Sequence, residues 1–277
     1  MKYISMIGFP KAKINLGLRI TGKRVDGFHD IETIFYPVNL CDALELVVAE
    51  EPAMKDMITI TGLNIGVKAE ENLIIKAIRV LREKYPVPVL KIHLHKAIPV
   101  GSGLGGGSSD AASTIKIINK CFGLSLDCDL MRTIAAGIGS DCPFFIDSLP
   151  SYATGRGEVL RPVNPVLNGY HLLLVNPGII ISTRNAYNKC TPQLTGTFLS
   201  DSFKSPVEEW KNIIFNDFEN YIFSKYPVIA RIKKALYDSG ALYSSMSGSG
   251  SSVYGIFADK PEITSEIRKY VIYNGLL

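Results

Sequence analysis

No stretch of this chain is apolar for long enough to cross a membrane, and lysines interrupt the apolar residues of its opening segment, MKYISMIGFPKAKINLGL, which carries no cleavage pattern. The sequence therefore predicts neither export nor insertion, and no membrane partner. Cysteine is scarce: Cys41, Cys121, Cys128, Cys142 and Cys190 are odd in number and lack metal-like spacing. That excludes a disulfide framework and fits reduced thiols in a cytoplasm. No Lys/Arg-dense run exists and the formal net charge is only +4, so nothing points to nucleic acid. Internal repeats and low-complexity tracts are also missing. With 277 residues, 47% hydrophobic and 20% charged, the chain has the balance of a soluble enzyme with room for two modest domains or one large one.

Glycine is concentrated where it matters. In Pro99-Val-Gly-Ser-Gly-Leu-Gly-Gly-Gly-Ser-Ser-Asp-Ala-Ala-Ser113, five glycines lie between a strand-like run and a helix-like run whose face is Ala111, Ile115, Ile118 and Phe122. Ser108, Ser109 and Asp110 are residues that favour a helix start. A glycine loop feeding a helix N-terminus is an anion site, with phosphate the expected anion. Its fragments fit several patterns poorly. Gly101-x-Gly103-x-x-Gly106 matches a dinucleotide fingerprint, but no long apolar strand precedes Asp127 or Asp129. No Gly-Lys-Ser/Thr closes a P-loop, and no Val-Ala-Ile-Lys strand follows as in protein kinases.

Upstream, residues 11–20 alternate, with Ile14, Leu16, Leu18 and Ile20 on one strand face and Lys13, Asn15, Gly17 and Arg19 on the other. The second set reads either as a plain solvent face or as a cation and an amide placed side by side. Asp26-Gly27 marks a turn, followed by the aromatic-imidazole pair Phe28-His29. Residues 31–40 and 43–49 read as strands, 71–84 as an amphipathic helix facing inward through Leu73, Ala77, Val80 and Leu81, and 89–95 as a strand with His93 and His95 on one face. Lys96 then stands at the lip of the glycine loop, suited to a nucleotide phosphate or to the helix that follows. Residues 130–136 form a helix ended by Gly137 and Gly139, and Asp141 either caps a helix at Cys142-Pro143 or enters the phosphate site. Further on come a strand over 170–175, a helix capped by Ser182 or Thr183, a loop over 189–206, helices at 216–220 and 228–238, and a strand-turn-strand unit over 241–257.

The long glycine motif resembles the phosphate loop of the GHMP kinases, the small-molecule kinases of galactose, homoserine, mevalonate and phosphomevalonate. Its doubled glycines, with Ala12-Lys-Ile-Asn-Leu, Thr21-Gly-Lys-Arg-x-Asp-Gly-Phe-His and Gly-x-Gly-Ser-Asp141-Cys-Pro-Phe-Phe, are similar to the branch acting on a cytidine-diphosphate-linked methylerythritol. Two departures stand out: Lys11 separates Pro10 from the Ala-Lys pair, and Phe28 replaces a commoner tyrosine, so it can stack but has no hydroxyl to donate.

The resemblance implies an α+β fold of two domains: a ribosomal S5 domain 2-like N-terminal domain over 1–164 and a ferredoxin-like C-terminal domain over 165–277. It implies ATP-dependent phosphorylation of the 2-hydroxyl of that small-molecule substrate in the non-mevalonate isoprenoid route, with Mg2+. Asp141 is the expected base, and Lys13 the charge that neutralises the acceptor oxygen and keeps Asp141 ionised. Lys96, Pro99, Gly101, Ser102, Gly103, Leu104, Gly105, Gly106, Gly107, Ser108 and Ser109 are the expected nucleotide contacts. Asn15 fixes geometry; Phe28 and Tyr187 sandwich the cytosine, His29 reads its edge, and Thr183 lies on a matching substrate position. The metal ligand stays open between Ser108 and Ser109. Two alternatives also remain, another GHMP small-molecule kinase and a non-catalytic sensor on the same fold, and the oligomeric state is not legible.

Overall fold

A computed structural model describes residues 5–50, 53–64, 66, 69–190, 192 and 199–277. In chain order the strands are β1 (Ser5–Gly8), β2 (Lys11–Lys23), β3 (His29–Cys41), β4 (Ala43–Val48), β5 (Met57–Gly62), β6 (Leu90–Lys96), β7 (Ser151–Thr154), β8 (Val159–Pro162), β9 (His171–Val175), β10 (Tyr243–Met246), β11 (Val253–Phe257) and β12 (Val271–Leu276). The helices are α1 (Leu73–Arg82), α2 (Gly106–Phe122), α3 (Cys128–Ala136), α4 (Phe144–Asp147), α5 (Thr183–Tyr187), α6 (Leu199–Ser202), α7 (Trp210–Ile213), α8 (Glu219–Lys225), α9 (Pro227–Asp238) and α10 (Ser265–Arg268). Among the described residues no helix is long and apolar enough to cross a membrane. The chain forms two compact units interleaved in sequence. One comprises Met1–Ala12, Leu40–Val100 and Gly105–Leu149; the other Lys13–Asn39, Gly101–Leu104 and Pro150–Leu277. No single cut separates them.

The first unit is built on a sheet of order β1-β4-β6-β5, antiparallel except for the β5–β6 pair. Along β6, Leu90, Ile92, Leu94 and Lys96 point inward while Lys91, His93 and His95 point out, the alternation of a sheet covered on one side. Both histidine rings lie 3.0 Å from the Thr61 hydroxyl. Asn72 caps α1 by accepting from the Ile74 N–H at 2.9 Å. The buried residues of α1 are Ile74, Ile75, Ala77, Ile78 and Leu81, whereas Leu73 and Val80 are only half-buried. The helix is thus turned from the expected face, because packing against α2 selects among several apolar positions.

The second unit holds two sheets, β2-β3-β7-β8 and β10-β11-β9-β12. Its core joins Leu173, Val175, Val253 and Phe257 to the apolar faces of α8 and α9, including Ile222, Ile229, Ile232 and Leu236. Pro227 opens α9 at a position that has no hydrogen bond to lose. β2 departs from expectation: every residue from Ala12 to Leu18 is buried, so the plain solvent face does not exist there. Of the loop expected over 189–206, residues 191 and 193–198 lie outside the described residues, and 199–202 form α6, seated by the fully buried Leu199.

Candidate active site

In the second unit, the first half of the glycine loop is clasped by the strand-turn-strand of β10 and β11. Gly103 has φ +79°, and a Cβ there would land on the Ser247 carbonyl, 2.8 Å from its carbon. The Ser247 hydroxyl donates to the Gly103 carbonyl at 2.9 Å, and the Ser252 N–H to the Ser102 carbonyl at 3.2 Å. The Lys13 N–H donates to the Leu104 carbonyl at 2.9 Å. The small residues of both motifs therefore serve a backbone-to-backbone approach that any side chain would block.

In the first unit, α2 starts earlier than its polar residues suggested. Gly105, with φ +72°, is the N-cap, and Ser108, Ser109 and Asp110 lie inside the helix. A glycine cap offers no side-chain oxygen to the first N–H groups, which leaves them to an external acceptor such as an anion. Gly106 is packed beneath this start: a Cβ would meet Ile98 at 2.9 Å and the Lys96 ammonium at 3.2 Å.

Lys96 turns inward to the helix. Its buried ammonium pairs with Asp42 and, at 2.8 Å, with Asp110. Asp42 also accepts from the Ala97 and Ile98 N–H groups, at 2.6 and 2.9 Å, so the lip of the loop is held from below. The Asp110 Oδ1 has no hydrogen-bond partner, and burial pushes its carboxyl up to about 7 against the pull of Lys96, with Asp42 adding to the rise. An unfolded aspartate titrates near 3.8. Between those two values the native state keeps a proton that the unfolded chain has released, so this contribution to stability is lost as pH rises from about 4 through about 7. Asp110→Asn removes the titration. Its melting temperature relative to the unmodified protein should accordingly rise between pH 5 and pH 8, by about 2–4 °C for each ~1 kcal/mol relieved. A pH-independent difference in paired melts contradicts this assignment.

Asp141 lies half-buried in the turn after α3. That turn adjoins the first turn of α2. Cys142 and Ser108 lie on either side of Gly139, where a Cβ would sit 3.2 Å from the Cys142 sulfur and 4.0 Å from Ser108 Oγ. Burial pushes the Cys142 thiol up to about 11; the Ser108 hydroxyl opposes the rise and the Asp141 charge adds to it. Lys76 of α1 grips the same turn, donating to the Ile138 carbonyl at 2.9 Å. Helix α4 has Pro143 at its N-cap, two residues past Asp141.

In the second unit, Lys13 and Asn15 are 3% and 1% exposed. The Lys13 ammonium donates to Asn15 Oδ1 and lies 4.8 Å from the Phe35 ring centre. The Asn15 amide donates to Thr33 Oγ at 2.9 Å, and Thr33 in turn donates to the Gly17 carbonyl at 2.6 Å. Tyr254, whose hydroxyl donates to the Asn15 carbonyl at 2.7 Å, completes this buried set.

The aromatic group is arranged differently from the expected sandwich. His29 itself stacks on Tyr187, with ring centres 5.0 Å apart and 23° between planes, and Tyr187 meets Phe218 edge-on at 4.8 Å. Burial, with Lys23 adding, holds the His29 imidazole below its ordinary value, so it is neutral at pH 7. Phe28 is 52% exposed, with the Arg156 guanidinium 5.0 Å from its ring centre. Its loop is set by Asp26, which accepts from the Phe28 N–H at 3.1 Å, and by Arg24, which pairs with Asp26 and Asp30. Ser182, not Thr183, caps α5, accepting from the Asn185 N–H at 3.3 Å, while Thr183 Oγ takes a bond from the Ser249 hydroxyl at 3.0 Å.

Sequence reasoning missed Asp42, Thr33 and Asn216, which are ordinary polar residues in the sequence and become informative only when found buried. Among the described residues no cluster of three or more His, Cys, Asp or Glu could hold a metal.

Comparison with known proteins bears on this arrangement. The GHMP kinases N terminal domain matches residues 72–148 and the GHMP kinases C terminal domain residues 199–272. A 4-diphosphocytidyl-2-C-methyl-D-erythritol kinase of Parabacteroides distasonis is 50% identical over 256 residues, covering 92% of this chain and 93% of that protein. One from Bacteroides fragilis is 47% identical over 259 residues, covering 94% of each. A crystal structure of a 4-(cytidine 5'-diphospho)-2C-methyl-D-erythritol kinase superposes with a TM-score of 0.74 at 29% identity, over 91% of this chain and 90% of that one.

Proposed function

This chain belongs to the GHMP kinase family and is an ATP-dependent small-molecule kinase; we propose that its acceptor is the 2-hydroxyl of 4-diphosphocytidyl-2-C-methyl-D-erythritol. The products are ADP and the 2-phosphate, and the step belongs to non-mevalonate isoprenoid precursor biosynthesis in the cytoplasm. The names of the relatives support the acceptor. The observation that carries the chemistry is the close approach of the turn holding Asp141 to the first turn of α2 at Gly139, Cys142 and Ser108. A carboxylate is thereby carried on a turn that adjoins the helix start expected to bind phosphate.

The residues present fit ATP: an α2 start capped by glycine, and glycines at 103 and 106 where a Cβ finds no room. When bound, ATP with Mg2+ would supply the phosphoryl group, and the hydroxyls at the helix start, Ser108 and Ser109, are the two candidates for the metal. Phosphoryl transfer asks the protein mainly for positioning and charge neutralisation. The loop and helix start, residues 99–109, hold the nucleotide phosphates. Asp141 accepts the proton of the attacking hydroxyl. Lys13, shaped by Asn15, neutralises charge on the acceptor. Lys96 acts through Asp110 as the brace of the helix start. The exposed face of Phe28 stacks the cytosine, and the neutral His29, backed by Tyr187, reads its edge, with Thr183 beside them. The division of the family's two domains at 164/165 belongs to the same reading.

Phe28→Ala should raise the acceptor KM by roughly 5- to 150-fold, the equivalent of about 1–3 kcal/mol of stacking, with ADP affinity unchanged. The uridine analogue exchanges donor and acceptor at the ring edge and should be the poorer substrate; His29→Ala should narrow that preference. Equal turnover of both nucleoside forms by the unmodified enzyme means that the base is not read, and moves the acceptor to the wider family of sugar and polyol kinases. Nucleotide binding with no phosphorylated product from either form favours a sensor.

A further inference from the structure

Asn216 takes no part in the reading above, yet it is buried at a junction of the second unit. Its amide nitrogen donates twice, to the Met246 carbonyl at 2.8 Å and the Gly248 carbonyl at 2.9 Å. Those carbonyls bracket Ser247, whose hydroxyl accepts from the Asn15 N–H at 3.2 Å and donates to the Gly103 carbonyl at 2.9 Å. At Gly248 the approach is close enough that a Cβ would stand 3.1 Å from Asn15 Oδ1. The base of Asn216 is pinned to the strand that carries Lys13 and Asn15. Leu18 N–H donates to the Phe215 carbonyl and Asp217 N–H to the Leu18 carbonyl, each at 2.9 Å, and Asp217 Oδ2 accepts from Ile20 N–H at 2.7 Å. Glu219 steadies the same turn, accepting from the Met246 N–H at 2.9 Å and the Ser245 hydroxyl at 3.1 Å. The contacts close a ring: β2, then residues 215–217, then the 246–248 turn, and back to Asn15 on β2.

We propose that Asn216 is a positioning residue of the kinase, its carboxamide setting the 246–248 turn and through it both Asn15 and the Gly103 segment of the phosphate loop. The inference rests on the kinase reading. The simpler role for an asparagine here is local, because its Oδ1 accepts from the Phe218 N–H at 3.0 Å and so supports the entry to α8. Aspartate preserves that acceptor but cannot donate, and turns a carboxylate oxygen toward two carbonyls. Asn216→Asp therefore separates the two roles.

The measurements are melting temperature, kcat, KM for the cytidyl acceptor and ADP affinity by calorimetry. They compare the unmodified enzyme, Asn216→Asp, Ser247→Ala, and Ile232→Val as a core variant that destabilises without touching the turn. Asn216→Asp should lower kcat by about ten- to a hundredfold and weaken ADP binding, with the acceptor KM within about twofold, since misplacement by about 1 Å has effects of that order. Ser247→Ala should move the same quantities in the same direction, and decides the matter if Asn216→Asp does not fold. Ile232→Val should lower only the melting temperature. Unchanged kcat and ADP affinity in the turn variants, or an equal fall in kcat for Ile232→Val, overturns the proposal. If the unmodified protein binds ADP without phosphorylating the acceptor, the acceptor reading fails by itself and the ADP titrations decide the role of Asn216.

Discussion

Asp141→Asn is expected to bind nucleotide as the unmodified enzyme does and to turn over about a hundredfold more slowly, or worse. Asparagine keeps the size of the side chain and leaves the Ser108–Cys142 contact of the turn in place. What it loses is the ability to take a proton. General-base help is commonly worth roughly 100- to 10,000-fold, which is about 2.7–5.4 kcal/mol of barrier. Because the base acts only as the hydroxyl attacks, kcat and kcat/KM should fall together. ADP titration, melting temperature and steady-state kinetics on one preparation test this. A turnover within about threefold of normal removes Asp141 from the chemistry, and a matching loss of ADP affinity reassigns it to nucleotide binding.

Gly103→Ala should have a comparably large effect by another route. Its φ of +79° already costs an L-residue roughly 1–2 kcal/mol. The added methyl would also land on the Ser247 carbonyl, a backbone group that cannot swing aside. The clasp between the loop and the β10–β11 turn must open, so ADP affinity should fall about a hundredfold or more, roughly 2.7 kcal/mol, together with the melting temperature. Gly107→Val supplies the contrast. A Cβ at Gly107 meets only Leu73, at an ordinary 3.8 Å, so the fold should hold while the side chain crowds the helix start where phosphate is expected. Gly106→Val cannot make that separation, because its Cβ runs into Ile98 and Lys96. Retention of normal ADP affinity by Gly103→Ala places the nucleotide elsewhere than on this loop; retention by Gly107→Val removes the α2 start from the phosphate site.

The glycine run, the β6 strand with His93 and His95 on one face, and an α5 cap at Ser182 or Thr183 were legible because each depends on neighbours a few positions away. The same local logic misjudged the start of α2. Ser108, Ser109 and Asp110 are good caps in isolation, but Gly105 takes the turn and the three are drawn into the helix. For α1, several apolar residues could have formed the stripe, and only contact with α2 selected Ile74 and Ile78 over Leu73 and Val80.

By itself the sequence determined the chemical vocabulary of this protein: a phosphate loop before a helix, a carboxylate after a second glycine turn, an aromatic-imidazole pair, and the family that combines them. Tertiary structure alone decided which polar groups are buried and what they face. Lys96 reads as a lip residue until Asp42 and Asp110, 54 and 14 positions away, are folded around its ammonium. From local pattern Lys13 and Asn15 read equally as a solvent face or as a paired cation and amide, until Phe35 is folded against the first and Thr33, Ser247 and Tyr254 against the second. A charge or amide is inexpensive in water and demanding once buried, where each donor and acceptor needs a partner. Those partners lie as far as 239 positions along the chain, beyond the reach of any local pattern.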